Sequence, residues 1–264
     1  MGKVIGIVSL KGGVGKTSVV SSLGAAIADL GKKVLLVDGN LSAPNLGLHF
    51  NIVNPEATLH HVFDRSVNIR KTIHELEKFD LIPASLSYKG NINPLKLKDN
   101  ISQLKREYDI ILIDSSPTLN DETLAVMLAS DAVIVVTTPD IPTLSTTIKA
   151  IKLAKQRGTP IYGLILNKIH NKDFELSIGD IERTSNVPVL AIIPHDVNVL
   201  RSLSEFKPYS TYKPKSDGSI EFKKLASTLL GERYSQRKFK DFFYNSTPKR
   251  SEINREIFYD RIFG

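Results

Sequence analysis

A glycine-rich segment near the start of the chain, residues 10–17 (Leu-Lys-Gly-Gly-Val-Gly-Lys-Thr), most constrains what this sequence can form. A β-branched run at residues 4–8 precedes it, and residues 18–30 follow with helical spacing. Glycines let backbone N–H groups close around phosphate oxygens, and the N-terminus of a following helix adds positive potential. The segment therefore predicts a phosphate-binding loop between a strand and a helix.

Two side chains at the end of this loop carry the expected chemistry. The Lys16 ammonium can neutralise β- and γ-phosphate charge, and the Thr17 hydroxyl can bind Mg²⁺. A glycine-rich turn that binds nothing is the alternative, but the flanking strand and helix argue against it. The residues expected to hold the nucleotide phosphates are Lys11, Gly12, Gly13, Val14, Gly15, Lys16, Thr17 and Ser18.

Strand-like and helix-like segments alternate along most of the chain. The expected strands are residues 4–8, 34–37, 79–82, 110–113, 132–137, 161–166 and 189–193. Several are apolar at consecutive positions, which is typical of strands buried on both faces of a parallel sheet. The expected helices are residues 18–30, 94–108, 143–156 and 218–230. This alternation predicts an α/β fold, a doubly wound, mostly parallel sheet with helices on both faces.

Composition excludes several classes of protein. The chain has 264 residues and no cysteine, which removes disulfides, iron–sulfur clusters and thiolate zinc sites. No apolar run approaches the ~20 residues of a membrane span, and the first residues are too soon interrupted for a secretory signal. We therefore expect a cytoplasmic protein. The formal charge of +7 favours acidic partners such as nucleotides, nucleic acid or an anionic membrane surface.

The composition changes after residue 231, so we expect a main domain at residues 1–231 and a basic, aromatic C-terminal tail at residues 232–264. Phe239, Phe242 and Phe243 share one helical face beside basic residues, which predicts a short interfacial membrane anchor. In the second piece, residues 251–263, apolar side chains spread around the helix. That pattern favours packing into a groove of a dimer or partner. A terminal helix covering the domain's own core is the alternative.

The phosphate loop departs from the ordinary Walker A pattern at two positions. Leu10 stands where that pattern has glycine, and Lys11 is a second lysine at the front of the loop. Residues 11–17 resemble the deviant Walker A motif of the MinD/ParA family of P-loop ATPases. The resemblance is closest to archaeal-type MinD and covers residues 2–230. Its other motifs are switch I (residues 34–41 and 45–48), Walker B with switch II (residues 108–117), and residues 136–140, 166–168 and 193–196.

The resemblance implies an ATPase that binds ATP/ADP with Mg²⁺ and dimerises around ATP. Lys11 would reach the phosphates of the partner protomer, and Lys16 would act in cis. The strand-terminal Asp38 and Asp114 can face the loop and hold Mg²⁺ with Thr17, although aspartate after a strand also serves as a turn former or helix cap. The expected catalytic residues are Lys11, Lys16, Asn40 and Asp114.

Three further residues are expected at the nucleotide base. Asn167 follows a strand and offers both a donor and an acceptor to an adenine edge. A capping amide is the alternative role for that side chain. The family resemblance adds Pro194 and Asp196 as residues that line the base.

Position 40 departs from the family pattern. Switch I of the family usually reads Asp-x-Asp, and the second aspartate positions or activates water; here Asn40 occupies that place. An amide can bind water but cannot accept its proton, so we expect slow hydrolysis and a long-lived ATP-bound dimer. The alternatives are that positioning and charge suffice without a carboxylate, or that Asn40 is a trapping substitution. Residues 118–121 can also orient water, although a turn has the same composition.

These observations favour a MinD-like nucleotide switch that positions or recruits partners. Its expected partners are a second copy of the chain, a regulatory or cargo protein, and the inner membrane surface through the tail. Nonspecific DNA, as in ParA-like partition proteins, is an alternative, but the tail supplies +3 of the +7 charge, which leaves a weakly basic domain. A scaffold that binds nucleotide without hydrolysis is a third hypothesis. A small-molecule kinase is disfavoured because it needs no second lysine.

Overall fold

The computed structural model describes residues 1–232, 234 and 249–264. One eight-stranded sheet lies at the centre of these residues. Its strands are β1 Lys3–Val8, β2 Val34–Gly39, β3 His74–Glu75, β4 Asp80–Ile82, β5 Ile110–Ser115, β6 Ala132–Thr137, β7 Ile161–Ile169 and β8 Val189–Pro194. Their order is β3-β4-β2-β5-β1-β6-β7-β8, and the described pairs are parallel except for β3 with β4. The doubly wound sheet predicted from the sequence is confirmed.

Helices connect the strands and cover both faces of the sheet. They are α1 Lys16–Ala28, α2 Leu59–Phe63, α3 Leu97–Ser102, α4 Asp121–Ala129, α5 Ile141–Gln156, α6 Ile178–Ser185, α7 Asn198–Ser204, α8 Tyr209–Tyr212, α9 Asp217–Leu229 and α10 Arg250–Phe263. Short 3₁₀ turns lie at Leu48–Phe50, Ile69–Thr72 and Pro94–Lys96. No described helix has the length and apolar character that crossing a bilayer requires.

The continuous apolar runs form strands because both faces of the sheet are buried. Strands β2, β5 and β6 are buried at every position. Side chains alternate along β1: Val4 and Val8 pack with residues of α3, α4 and α5, whereas Ile5 and Ile7 pack with residues of α1, α9 and α10. The two cores hold the strands rigidly, which fixes the positions of the residues at their carboxyl ends.

One predicted helix is wrong in length. The sequence predicts a helix over residues 94–108, but the structure has a 3₁₀ turn followed by α3, which ends at Ser102. Beyond it, the backbone N–H groups of Leu104 and Lys105 donate to carbonyls three residues back, which tightens the chain into turns. The carbonyl of Lys105 then accepts from the N–H of Gly2. The Lys105 carbonyl therefore bonds to the start of the chain, whereas in a continued helix it would accept from the N–H four residues later.

The C-terminal helix packs on its own domain. Phe258 of α10 is 2% exposed and lies in the core with residues of α1 and α9, and its ring meets that of Tyr162 edge to face at 5.0 Å. The preferred expectation, that residues 251–263 dock on a dimer or partner, is therefore replaced by the alternative of a helix covering the domain's own core. The predicted anchor at Phe239, Phe242 and Phe243 lies outside the described residues.

Candidate active site

The expected site residues meet at the carboxyl edge of the sheet. Strand β5 lies between β1 and β2, and Asp114 pairs in register with Asp38 on one side and Ile7 on the other. The phosphate loop leaves β1 at this edge and enters α1 at Lys16. Strands that are far apart in sequence thus bring two carboxylates beside the loop, as ligand sites in open α/β sheets require.

Two glycines of the loop have backbone angles that other residues rarely adopt. Gly13 has φ +78° and Gly15 has φ +90°, and a Cβ at Gly15 would lie 2.4 Å from Nδ2 of Asn167. Strand β7 holds the loop from the other side: Asn167 Nδ2 donates to the Val14 carbonyl at 2.7 Å, and Lys168 Nζ donates to the Gly13 carbonyl at 2.7 Å. These two bonds hold the loop in its conformation, and the backbone N–H groups of such a loop can bind an anion.

Lys16 and Thr17 begin α1 beside Asp114. The Lys16 residue is only 7% exposed, and burial lowers the pKa of its ammonium while the nearby Asp114 carboxylate opposes that shift. The Thr17 hydroxyl donates to Oδ2 of Asp114 at 2.6 Å. A buried cation and a hydroxyl therefore both lie beside Asp114 at the start of α1.

The two aspartates sit side by side with little solvent. Burial, followed by the negative charge of Asp114, raises the pKa of Asp38 to about 7. Burial also raises the pKa of Asp114 to about 6, although Lys16 and the Thr17 hydroxyl oppose it. Two adjacent carboxylates that resist ionisation form a place where a cation is favoured.

The donors at this edge fit a magnesium ion. Oδ1 of Asp114 is buried and has no hydrogen-bond partner among the described residues, and the Thr17 hydroxyl lies beside it. Both are hard oxygen ligands, and Mg²⁺ usually takes one or two such protein groups and completes its shell with water and phosphate. Across residues 1–232, 234 and 249–264, no group of three or more His, Asp or Glu side chains could hold a metal.

Asp38 also binds the loop that follows β2. Its Oδ1 accepts from the backbone N–H of Asn40 at 3.2 Å, and its Oδ2 accepts from the N–H groups of Asn45 and Leu46 at 3.1 and 2.9 Å. These bonds tie the loop after β2 to the strand end. Asp38 therefore sets the shape of switch I as well as adding charge beside Asp114.

Lys11 lies at the front of the loop and binds within its own chain. Its Nζ donates to Oδ1 of Asp140 at 3.2 Å and to the Thr143 hydroxyl at 2.6 Å, at the start of α5. The two charged side chains are 39% and 43% exposed, so the pair contributes little to stability. Lys11 is thus held at the surface by an interaction that is easy to break.

A partly apolar cleft adjoins the phosphate loop and contains the residues expected at the base. Asn167, Pro194 and Asp196 all line it, together with Gly15, Ser18, Val19, Ile193, Leu203 and Phe222. Asp196 accepts from the Asn198 N–H and from the Tyr209 hydroxyl, both at 2.8 Å, so neighbouring groups fix its orientation. Apolar walls with a few oriented polar groups suit a planar base.

Asn40 is 6% exposed and points into the protein. Its side-chain amide nitrogen donates to the Ala43 carbonyl, and its Oδ1 is buried without a partner among the described residues. Sequence reasoning missed a carboxylate nearby, Glu122 in the first turn of α4, which accepts from the backbone N–H of Ser42. The sequence signal for it is Asn120. Asparagine is a preferred N-cap residue and so predicts a helix that begins just before Glu122, and in the structure Asn120 caps α4 by accepting from the Thr123 N–H at 3.1 Å.

Comparison with known proteins agrees with this geometry. Residues 2–161 match a family model described as an AAA domain. The chain is 30% identical to the septum site-determining protein MinD of Bacillus subtilis over 243 residues, covering 88% of this chain and 90% of that protein. The structure of the cell division ATPase MinD of Pyrococcus furiosus superposes with a TM-score of 0.83 at 35% identity, over 87% of this chain and 99% of that one.

A second solved structure is MinD of Pyrococcus horikoshii, which was determined with Mg-ADP. It superposes with a TM-score of 0.82 at 34% identity and covers 87% of this chain and 96% of that one. In both comparisons the similarity spans nearly the whole of the solved protein. The chain therefore belongs to the MinD/ParA family of P-loop ATPases and is archaeal MinD-like.

Proposed function

We propose that this chain is a MinD-like switch ATPase, which binds Mg-ATP, dimerises around it, recruits a partner and resets by hydrolysing ATP to ADP and phosphate. The observation that carries the proposal is the group formed by two buried residues, Lys16 and Asp114, and the half-buried Thr17. In it a cation, a hydroxyl and an unpartnered carboxylate oxygen adjoin a loop whose backbone leaves room for an anion.

Each part of the site has a task in phosphoryl transfer. The N–H groups of the loop and the Lys16 ammonium bind the phosphate oxygens and offset charge that develops on them. Thr17 and Asp114 would hold Mg²⁺, which would supply positive charge to offset that of the phosphates when bound. Asp38 holds switch I over the site through three backbone N–H groups. The cleft lined by Asn167 and Pro194 receives the base.

Lys11 links nucleotide binding to dimerisation in this proposal. In the single chain it pairs with Asp140, and the pair is exposed enough to exchange for a stronger partner. A triphosphate presented by a second protomer carries far more negative charge than one carboxylate, so it would draw Lys11 across the interface. Exposed apolar side chains surround this face: Ile141 is 71% exposed and Phe174 is 76% exposed. Their burial would favour the dimer.

The mass of the protein in solution tests this proposal. Light scattering should show a monomer without nucleotide and a dimer with Mg-ATP, and Lys11→Ala should remain a monomer while binding ATP. Lys155→Ala, which removes an exposed lysine near the far end of α5, is the matched control and should dimerise as the unmodified chain does. A dimer that forms equally well in Lys11→Ala, or without ATP, contradicts the proposal.

The proposed partners are a regulatory or cargo protein and, through the tail, the inner membrane surface. ATP turnover of the full chain should rise with anionic liposomes more than with DNA. Replacement of Phe239, Phe242 and Phe243 by serine, which keeps α10, should abolish co-sedimentation with the liposomes. A salt-dependent DNA shift with no liposome binding would favour the ParA-like alternative. Nucleotide-dependent dimerisation with no turnover under either condition would favour the scaffold hypothesis.

A further inference from the structure

Glu122 is a buried carboxylate that binds the loop following β2, and the proposed function gives it no role. It lies in the first turn of α4 and is 8% exposed. Its Oε1 accepts from the backbone N–H of Ser42 at 3.1 Å and also from the Ser42 hydroxyl. Its Oε2 is buried and has no partner among the residues that the structure describes. One oxygen thus holds switch I, and the other is left without a donor.

The packing of α4 places this carboxylate at the edge of the sheet where the phosphates are expected. A Cβ at Gly39, the last residue of β2, would lie 2.8 Å from a methyl group of Val126, one helical turn after Glu122. The same Cβ would lie 2.7 Å from the Asp114 carbonyl. The first turn of α4 therefore adjoins the loop that follows β2, on the side where β5 ends.

Asn40 lies at the start of that loop and presents a second acceptor without a donor. Its amide nitrogen is occupied by the Ala43 carbonyl, so its free group is the buried Oδ1. Buried polar atoms in native proteins almost always have a partner, protein or water. Asn40 Oδ1 and Glu122 Oε2 thus lie on two segments that the Ser42–Glu122 hydrogen bond joins, and each oxygen has no donor among the described residues.

We propose that the donor to both oxygens is the water that attacks ATP, and that Glu122 supplies the carboxylate that Asn40 cannot. The inference rests on the proposed ATPase function. The water donates one hydrogen bond to Glu122 Oε2 and another to Asn40 Oδ1. As its oxygen bonds to the γ-phosphorus, the bond to the β,γ-bridging oxygen breaks and ADP leaves with the electron pair. The proton of the water passes to Oε2 and then to the released phosphate.

Replacement of the carboxylate by an amide tests this assignment. Glu122→Gln keeps the shape of the side chain and an oxygen for Ser42, but it cannot take a proton. Phosphate release should fall by about 10- to 100-fold, while the affinity for a fluorescent ATP analogue stays within about twofold. Asp99→Asn removes an exposed carboxylate from the first turn of another helix, α3, and should leave turnover unchanged.

Two further variants separate a role in proton transfer from a role in holding the loop. Asn40→Asp combined with Glu122→Gln should recover at least about fivefold of the lost rate, because it returns a carboxylate to the same place. Ser42→Ala removes one tether but keeps the carboxylate, so turnover should stay within about threefold of the unmodified chain. A loss in Ser42→Ala as large as in Glu122→Gln assigns Glu122 to the loop alone and overturns the inference.

The remaining outcomes distinguish this inference from the proposed function. Hydrolysis that is equally fast in the unmodified chain and Glu122→Gln overturns the inference and leaves the ATPase intact. Loss of ATP affinity together with turnover in Glu122→Gln overturns it as well, because the residue then acts on binding. An unmodified chain that binds no ATP overturns the proposed function itself.

Discussion

Asp38 and Asp114 are in-register neighbours on the parallel strands β2 and β5, and both are almost completely buried. Their carboxylates meet at the end of the strands, where the Thr17 hydroxyl binds one of them at 2.6 Å. Two acidic groups in this position destabilise each other when both are ionised. Their stabilising partner, in our account, is the magnesium ion that arrives with the nucleotide.

Stability should therefore depend on pH in the ligand-free protein. The pKa of Asp38 is raised to about 7 and that of Asp114 to about 6, whereas aspartate in an unfolded chain titrates near 4. Between these values the folded protein binds more protons than the unfolded chain. The contribution of these two groups to the free energy of unfolding is therefore largest below about pH 4 and is lost as the pH rises through about 6 to 7.

Denaturant unfolding of Asp114→Asn measures this effect. The variant should lose much of the decline between about pH 4 and about pH 7 and should be more stable than the unmodified chain at the upper pH, on the order of 2 kcal/mol. Asp173→Asn, at an exposed position, should keep the original pH dependence. A decline that is the same in both variants would contradict the assignment of these pKa values.

A carboxylate at position 40 should speed hydrolysis. Asn40→Asp places a proton acceptor where the amide Oδ1 is buried with no partner in the described part of the chain, so phosphate release should rise several-fold. The measurement is steady-state phosphate release under saturating Mg-ATP, with Asn45→Asp as a control in the same loop. An unchanged rate would show that the chemistry does not depend on a carboxylate at this position.

The C-terminal helix should be an integral part of the domain. Arg255 is 6% exposed by side chain; its Nη1 donates to Oε2 of Glu221 at 2.9 Å and to the Leu190 carbonyl at 2.7 Å. Arg255→Ala leaves the Glu221 carboxylate buried without its main partner, so the free energy of unfolding should fall by about 3 kcal/mol. Arg261→Ala, at an exposed position on the same helix, is the control.

The double variant Arg255→Met with Glu221→Leu should recover most of that stability, because it removes both buried charges together. Urea unfolding monitored by circular dichroism measures all four proteins. If Arg255→Ala costs no more than the Arg261→Ala control, α10 is a loosely attached appendage and the packing described for Phe258 does not stabilise the domain.

Much of the site could be predicted because its residues lie at strand ends. Asp38 and Asp114 follow apolar runs, and the carboxyl ends of parallel strands meet at one edge, so their convergence follows from the fold class. Lys16 and Thr17 follow from the glycine pattern of the loop. Local sequence carries both signals, since each depends only on a residue's position relative to its own strand or turn.

Contacts between distant segments could not be predicted in this way. The pairing of Lys11 with Asp140 joins residues 129 positions apart, and that of Ser42 with Glu122 joins residues 80 apart. The packing of α10 on its own domain was predicted only as the alternative, because sequence alone does not show that Arg255 lies opposite Glu221. Each of these depends on how elements pack, which hydrophobic periodicity does not specify.

A crystal structure with Mg²⁺ and a non-hydrolysable ATP analogue tests the central claim most directly. Our account predicts a two-fold dimer with the triphosphate in the loop of residues 10–17 and the metal beside Thr17 and Asp114. Each Lys11 would have left Asp140 to contact the partner's phosphates. An empty loop, or a filled loop in which every Lys11 still pairs with its own Asp140, would contradict it.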